Sequence, residues 1–260
     1  MSGSARPRLT LAISAATVAL VVLGWWAVTG VGGIDPLFLP SPAAVVAKFF
    51  EAATDGYADA TLWQHLGASL GRVFAALAVA VALGVPAGLA IGTSPIGRGI
   101  LDPLVETLRP IPPLAYLPLV VIWLGIGETS KVVVIAIAMF APIVIATASG
   151  VAHVAVNRLD AARAFGARGW QVLLLVRLPS ALPDILTGVR IALGAGWTTL
   201  VAAELVAATR GLGFMIQSAA QFLVTDVVIM GIVVIALIAF LFEAGVRALE
   251  RWLTPWRGKL

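Results

Sequence analysis

The chain has 260 residues, of which 60% are hydrophobic and 12% charged, with no cysteine and a formal net charge of +4. Soluble domains run at about 45–50% apolar and about 25% charged residues, so the main solvent of this chain is lipid. That excludes a disordered chain, a nucleic-acid-binding domain and a disulfide scaffold, and the absence of cysteine removes thiolate metal sites and thiol nucleophiles.

A helical span needs roughly 20 apolar residues. Stretches of that scale occur at residues 9–34, 73–97, 110–127, 132–152, 184–209 and 227–242. The reading is an all-α polytopic membrane protein with six transmembrane helices. The first run is too long for the apolar region of a secretory signal and ends in Trp25-Trp26, which suits an interfacial anchor.

Lys and Arg set the orientation. Arg6, Arg8, Arg98, Arg109, Arg158, Arg163, Arg168, Arg177, Arg247, Arg251, Arg257 and Lys259 fall on one side of the expected membrane, against Lys48, Arg72, Lys131 and Arg210 on the other. Twelve against four places both termini in the cytoplasm. The domain plan is a cytoplasmic tail at 1–8, a permeation domain at 9–250 and a second cytoplasmic tail at 251–260.

The connection at 35–71 is the longest one expected outside. Ser41 reads as the N-cap of a short helix with Pro42 in its first turn, and Asp55, Asp59, Trp63 and His65 read as an interfacial amphipathic helix. Pro110, Pro112, Pro113 and Pro118 rule out a straight helix at the start of the third span. Either a cytoplasmic loop precedes a short helix there, or a broken helix lines the pathway. Asp226 is expected to cap the sixth span, and Glu243, Arg247 and Arg251 to lie at its cytoplasmic boundary.

The one long cytoplasmic segment is residues 154–183. Asp160, Ala161, Ala162, Arg163, Ala164 and Phe165 form a short helix of small residues around one aromatic knob. Gly166 and Gly169 let the chain turn, and Pro179 and Pro183 are expected to break the run before span five. The product is a helical elbow exposed to cytosol.

The elbow also carries a family resemblance. An acidic residue, two alanines, a glycine six positions after the acid and the Leu178-Pro179 pair twelve further on resemble the coupling motif of ABC-importer permeases, with Asp160 where Glu is commoner and Val176 where Ile is commoner. Residues 34–40, 59–66 and 99–103 resemble the taurine, alkanesulfonate and nitrate branch; residues 125–131 and 201–215 look most like its taurine-transporting members. The likeness runs over about residues 20–257 and includes the closing Leu253-Thr254-Pro255-Trp256.

The resemblance implies a type I ABC-importer permease fold in a bacterial inner membrane. It implies a homodimer, two cytoplasmic ATP-binding subunits and a periplasmic substrate-binding protein, with taurine as cargo. Asp160, Ala161, Ala162, Phe165, Gly166, Leu178 and Pro179 would couple to the ATPase. No cofactor is expected in this chain; ATP and magnesium would belong to the partner, so the chain itself is not expected to be an enzyme. The Gly125–Lys131 string lacks the Gly-Lys-Ser/Thr ending of a phosphate loop.

Ionisable groups within spans are functional candidates by default. Arg190 and Glu204 are too far apart along one helix to pair, yet at about 100° per residue they fall within about 40° of one face. With Gly194, Trp197, Val201 and Ala208 they form a helix seam. This seam is expected to face a dimer interface and the pathway, with Glu204 near the outer gate, Arg190 near the cytoplasmic mouth, and Thr198 and Thr199 as weak polar contacts; Gly188, Gly194 and Gly196 would permit close helix approach. The alternative is that neighbouring helices satisfy each charge. Rival functions are an importer of the same class for another alkanesulfonate, nitrate or a small heterocycle, and an ion-gradient-driven secondary transporter.

Overall fold

The computed structural model describes residues 5–31 and 33–254, without the side chains of residues 5–8, 11, 31 and 207. The expected cytoplasmic charges Arg257 and Lys259 and the Pro255-Trp256 pair lie outside the described residues. Among the described residues the regular structure is helical: α1 Ala5–Val31, α2 Pro42–Thr54, α3 Leu62–Thr93, α4 Pro95–Leu108, α5 Leu117–Leu124, α6 Glu128–Ala152, α7 Val156–Ala164, α8 Gly169–Gln171, α9 Leu178–Ala207, α10 Leu212–Gln221 and α11 Thr225–Leu253. A 3₁₀ turn at Pro113–Tyr116 leads into α5, and a π-helical turn at Val172–Arg177 joins α8 to α9.

Among the described residues five segments are long and apolar enough to cross a membrane: Ala12–Gly30, Leu62–Thr93, Glu128–Ala152, Gly169–Val206 and Thr225–Leu253. A sixth exists only if α4 and Pro113–Leu124, which meet at 92°, count as one broken span. The third span, expected at 110–127 with an irregular start, holds only the short α5 as regular α-helix. The prolines leave α5 only 8 residues, about 12 Å at the helical rise, against a hydrocarbon core of about 30 Å.

Internal contacts group the chain into two units, residues 1–65 with 215–234 and residues 66–214 with 235–260. In the first unit Ser41 caps α2 as expected, its hydroxyl accepting from the Ala44 N–H at 3.2 Å. The amphipathic helix expected over Asp55 to His65 is instead a turn followed by the start of α3. Ala58 and Asp59 adopt positive φ there (51° and 61°), which a helix does not allow. His65 is buried in the first turn of α3, its Nε2 2.8 Å from the Tyr57 carbonyl. Asp226 lies within the first turn of α11 rather than capping it, and its carboxylate accepts from the Val227 N–H at 2.8 Å.

The second unit is built on α6. Val73, Ala76 and Ala80 of α3, Ile135, Met139 and Ile143 of α6, and Ala192, Leu193, Trp197 and Leu200 of α9 form one buried cluster. Lipid tails are as apolar as leucine, so association inside a bilayer depends on close packing rather than on water exclusion. Gly84, Gly88 and Gly92 put a four-residue stripe without side chains against α6; a methyl at Gly88 would sit 2.5 Å from Thr147 Cβ and 2.7 Å from the Val144 carbonyl. On α9 Gly188 and Gly196 abut Ala146 and Met139 of α6, whereas Gly194 faces open space.

Pro179 and Pro183 do not break the fifth span. Pro179 lies in the first turn of α9 and Pro183 inside it, and the helix continues for 30 residues. For Pro179 the preceding π turn accounts for this: the Leu178 N–H reaches back to the Leu173 carbonyl, and the widened ring relieves the clash that a proline makes with a tight helical turn.

Candidate functional site

The elbow is built from local sequence. Leu159 of α7 packs with Val154 and Val172, and Ala162, Ala167 and Val176 close over them. The C-terminus of α7 is a Schellman turn: the Gly166 N–H donates to the Arg163 carbonyl at 2.8 Å and the Ala167 N–H to the Ala162 carbonyl at 3.0 Å. This turn requires the left-handed backbone of Gly166, whose φ is +81°. Phe165 precedes it and is 93% exposed.

Asp160 and Ala161 are exposed on the same short helix, and Asp160 makes a loose 3.5 Å pair with Arg163. Such surface pairs contribute little to stability. Ala162 turns inward, while Leu178 and Pro179 are half-buried in the first turn of α9, with Leu178 against Val151, Ala181 and Ile185. Thus Asp160, Ala161, Phe165 and Gly166 form one exposed end, and Leu178-Pro179 anchors the helix that follows.

The seam expected on α9 is not a single face. Glu204 has no solvent exposure, Trp197 is buried and Arg190 is half-buried, whereas Gly194 is exposed. Trp197 packs its ring against Phe242 at 5.8 Å. The Thr198 and Thr199 hydroxyls donate back to the Gly194 and Ala195 carbonyls at 3.2 and 2.9 Å. The open side of α9 is displaced by about one position and carries Ile191, Gly194, Thr198 and Leu205.

Glu204 is instead the centre of a buried charge cluster. It accepts from Arg72 Nη1 at 2.6 Å, Ser69 Oγ at 2.8 Å and the Gly213 N–H at 2.8 Å. Arg72 Nη1 also donates to the Arg210 carbonyl at 2.7 Å, and Ser69 accepts from the Leu212 N–H at 2.9 Å. Nε and Nη2 of the same guanidinium grip Glu128 at 2.6 and 2.8 Å, and Lys131 joins Glu128 at 2.7 Å. The N-terminus of α6, the first third of α3, the end of α9 and the turn into α10 are thereby tied together.

Arg72 and Lys131, assigned by charge counting to the same side, meet at this cluster, which Arg210 joins through its backbone carbonyl. Sequence reasoning missed that Arg72 lies within a helix, because the second span was started at residue 73 rather than at Leu62.

Near the bend between α4 and α5 the second unit carries a half-open cavity of about 940 Å³. Leu83 of α3, Ile111, Pro113 and Tyr116 of the proline-rich break, Ile137 of α6 and Ile191 of α9 are among its walls, and Arg109 is its only charged lining residue. Pro110, Pro112 and Pro113 stand in a non-helical stretch and a 3₁₀ turn ahead of the short α5, and residues of this stretch line the cavity. The third span thus supplies wall rather than a full crossing.

Comparison with known proteins places this architecture. Residues 80–255 match the family described as binding-protein-dependent transport system inner membrane component. The taurine transport system permease protein TauC of Escherichia coli K12 is 58% identical over 249 residues, 95% of this chain and 90% of that protein. A putative aliphatic sulfonates transport permease protein, SsuC of Bacillus subtilis 168, is 36% identical over 92% of this chain and 85% of its own length. An inward-facing structure of the MetNI methionine ABC transporter superposes with a TM-score of 0.67 at 22% identity, covering 74% of this chain and 96% of that one. The chain belongs to the family of binding-protein-dependent transport system inner membrane components.

Proposed function

We propose that this chain is the permease subunit of an ATP-driven inner-membrane importer for taurine. The observation that carries this reading is the 58% identity, spread over 95% of the chain, to a protein named for taurine transport. Similarity to two sulfonate-transport permeases at 36% and 37% favours another alkanesulfonate as the second reading.

In this reading two copies of the chain enclose the passage, a periplasmic binding protein delivers cargo, and two ATP-binding subunits engage the elbows. Asp160, Ala161 and Phe165 meet the ATPase, Gly166 sets the turn that presents them, and Leu178-Pro179 transmits movement of the elbow into α9. The exposed aromatic ring supports that assignment, since a large apolar side chain held at 93% exposure is suited to a pocket on a partner. Closure of the ATPases would draw the elbows together and swing the helices behind them.

Taurine is a zwitterion and crosses lipid poorly without a passage. The cavity beside the proline-rich break and the open side of α9, including Thr198, would form part of that passage, with Arg190 toward its cytoplasmic mouth. Glu204, Trp197 and Thr199 shape the helix from within the protomer.

The test is uptake of labelled taurine into proteoliposomes holding this chain, its ATPase subunit and the binding protein. Uptake that needs ATP and survives a protonophore supports the reading. Uptake driven by a proton gradient without ATP identifies a secondary transporter, and selective uptake of a longer alkanesulfonate identifies the second reading.

A further inference from the structure

We propose that α2 is an interfacial helix whose exposed stripe of Ala43, Val46, Ala47 and Phe50 is immersed in the outer leaflet, on the side where the Lys and Arg count places the connection at 35–71. The partner of this face is bilayer lipid, and the inference does not depend on the cargo.

The first argument is that α2 has three sides instead of two. At about 100° per residue Val45, Phe49 and Ala52 fall together; Val45 and Ala52 are buried and Phe49 is half-buried. Lys48, Glu51 and Asp55 make a polar stripe, with Lys48 and Glu51 paired at 2.8 Å. Ala43, Val46, Ala47 and Phe50 make the third side, roughly 120° round the helix from the polar one. All four are exposed, Val46 to 56% and Phe50 to 63%. A helix on the surface of a soluble domain needs only an apolar side inward and a polar side outward. A second, outward apolar stripe beside a charged one is the pattern of a helix lying in a membrane interface, apolar side at the acyl boundary and charged side in water.

Depth is the second argument, and it is independent of pattern. Trp25 lies within the Ala12–Gly30 span, about 7.5 Å short of its end at the helical rise. Its indole N–H donates to the carbonyl of Pro40, two residues before α2 begins, at 3.1 Å. Thr225, the first residue of α11, donates its hydroxyl to the Leu37 carbonyl at 2.5 Å. The chain entering α2 is therefore tied to two helices long and apolar enough to cross the membrane, and at α1 it sits beside the span rather than beyond its end. None of the apolar window of α1 is buried, and α2 packs against α1. The exposed stripe of α2 thus continues a surface that already faces lipid.

The third argument is the aromatic cluster at the same level. Trp63, in the first turn of α3, is exposed and meets Phe49 edge-on with ring centroids 6.5 Å apart, and Phe49 meets Phe50 at 5.6 Å. An exposed indole at the start of a span suits the membrane–water boundary. Together α2 and the entry to α3 rest on lipid, which closes this face to soluble partners.

The chain has no cysteine, so single-cysteine variants carry a nitroxide label without background. Val46→Cys, Phe50→Cys and Glu51→Cys are labelled in the full chain with its ATPase subunit in phosphatidylcholine nanodiscs. Electron paramagnetic resonance then measures collisions with oxygen, which concentrates in lipid, and with a nickel chelate, which stays in water. Labels at 46 and 50 are expected to meet oxygen more often, and the chelate severalfold less often, than the label at 51.

Labels at 46 and 50 as open to the chelate as the one at 51 overturn the proposal, since the stripe then lies in water. Labels closed to both reagents overturn it in favour of a face covered by a second copy of the chain. Exclusion of the chelate only after the binding protein is added overturns it in favour of a docking site for that protein.

Discussion

Arg72 and Glu204 meet at 2.6 Å with side chains 4% and 0% exposed, and the pair joins the first third of α3 to the last turn of α9. The same guanidinium holds Glu128 at the start of α6, so one side chain sets the spacing of three helices. Burying two charges carries a large desolvation penalty, which here is offset by mutual attraction and by three donors on the Glu204 carboxylate.

Removing one partner of such a pair leaves an uncompensated charge, with a penalty of about 3–5 kcal/mol. Arg72→Met is therefore expected to lower the thermal midpoint of the solubilised protein sharply and to loosen the turn into α10. The double variant Arg72→Met with Glu204→Leu should recover a large part of that loss, because neither residual charge is then left buried at the pair. Thermal unfolding of the single and double variants measures the difference; a double variant as unstable as the sum of its parts contradicts the coupling.

The glycine stripe on α3 makes a steric prediction. Gly88→Val places its side chain into Thr147 and the Val144 carbonyl and should destabilise by about 1–3 kcal/mol through overpacking. Gly194→Ala on α9 meets nothing within 4 Å and should be neutral or slightly stabilising, since alanine is the better helix former. Expression level and thermal midpoint compared between the two variants check this, and equal losses would rule out a packing origin.

The spans, the Ser41 cap and the elbow were legible because each depends on local pattern: apolar length, a hydroxyl before Pro42, a glycine closing a short helix. The cluster on Glu204 was not, because its partners are separated by more than a hundred positions in the chain and only packing brings them together. Arg72 interrupts an apolar run, and treating that interruption as a membrane boundary hid the residue that satisfies Glu204. A helix face also cannot be told from its neighbour by spacing alone. The stripe through Glu204 and the open side through Thr198 differ by about one position, and packing against α6 and α11 chose between them.

Gly166 separates backbone from contact. An alanine there must adopt φ near +81°, at roughly 1–2 kcal/mol for a residue with a Cβ. No neighbouring atom lies within 4 Å of a Cβ at this site, so the strain is confined to the turn. Gly166→Ala is expected to leave the spans folded while tilting Phe165, and Gly166→Asn, which tolerates the left-handed region better, should be milder. Taurine uptake and thermal midpoint measured side by side check this; a large midpoint loss shared by both variants would show that the turn supports the whole unit instead.

Phe165 gives the sharpest separation of docking from folding. At 93% exposure its ring contributes almost no burial within the chain, and surface substitutions of that kind change stability by only about 0.5 kcal/mol. On a partner the same ring is an anchor, and truncating a central aromatic anchor typically removes about 2 kcal/mol or more of binding energy. Phe165→Ala should therefore unfold at the wild-type temperature, yet lose roughly thirtyfold or more in affinity for the ATPase subunit. Leu159→Ala should lose both stability and ATPase binding, because Leu159 is buried under the elbow and its loss collapses the surface that carries Phe165. Co-purification of the ATPase subunit with each variant, set against its thermal midpoint, distinguishes the cases. Retention of the ATPase at wild-type level by Phe165→Ala would remove the aromatic knob from the coupling interface.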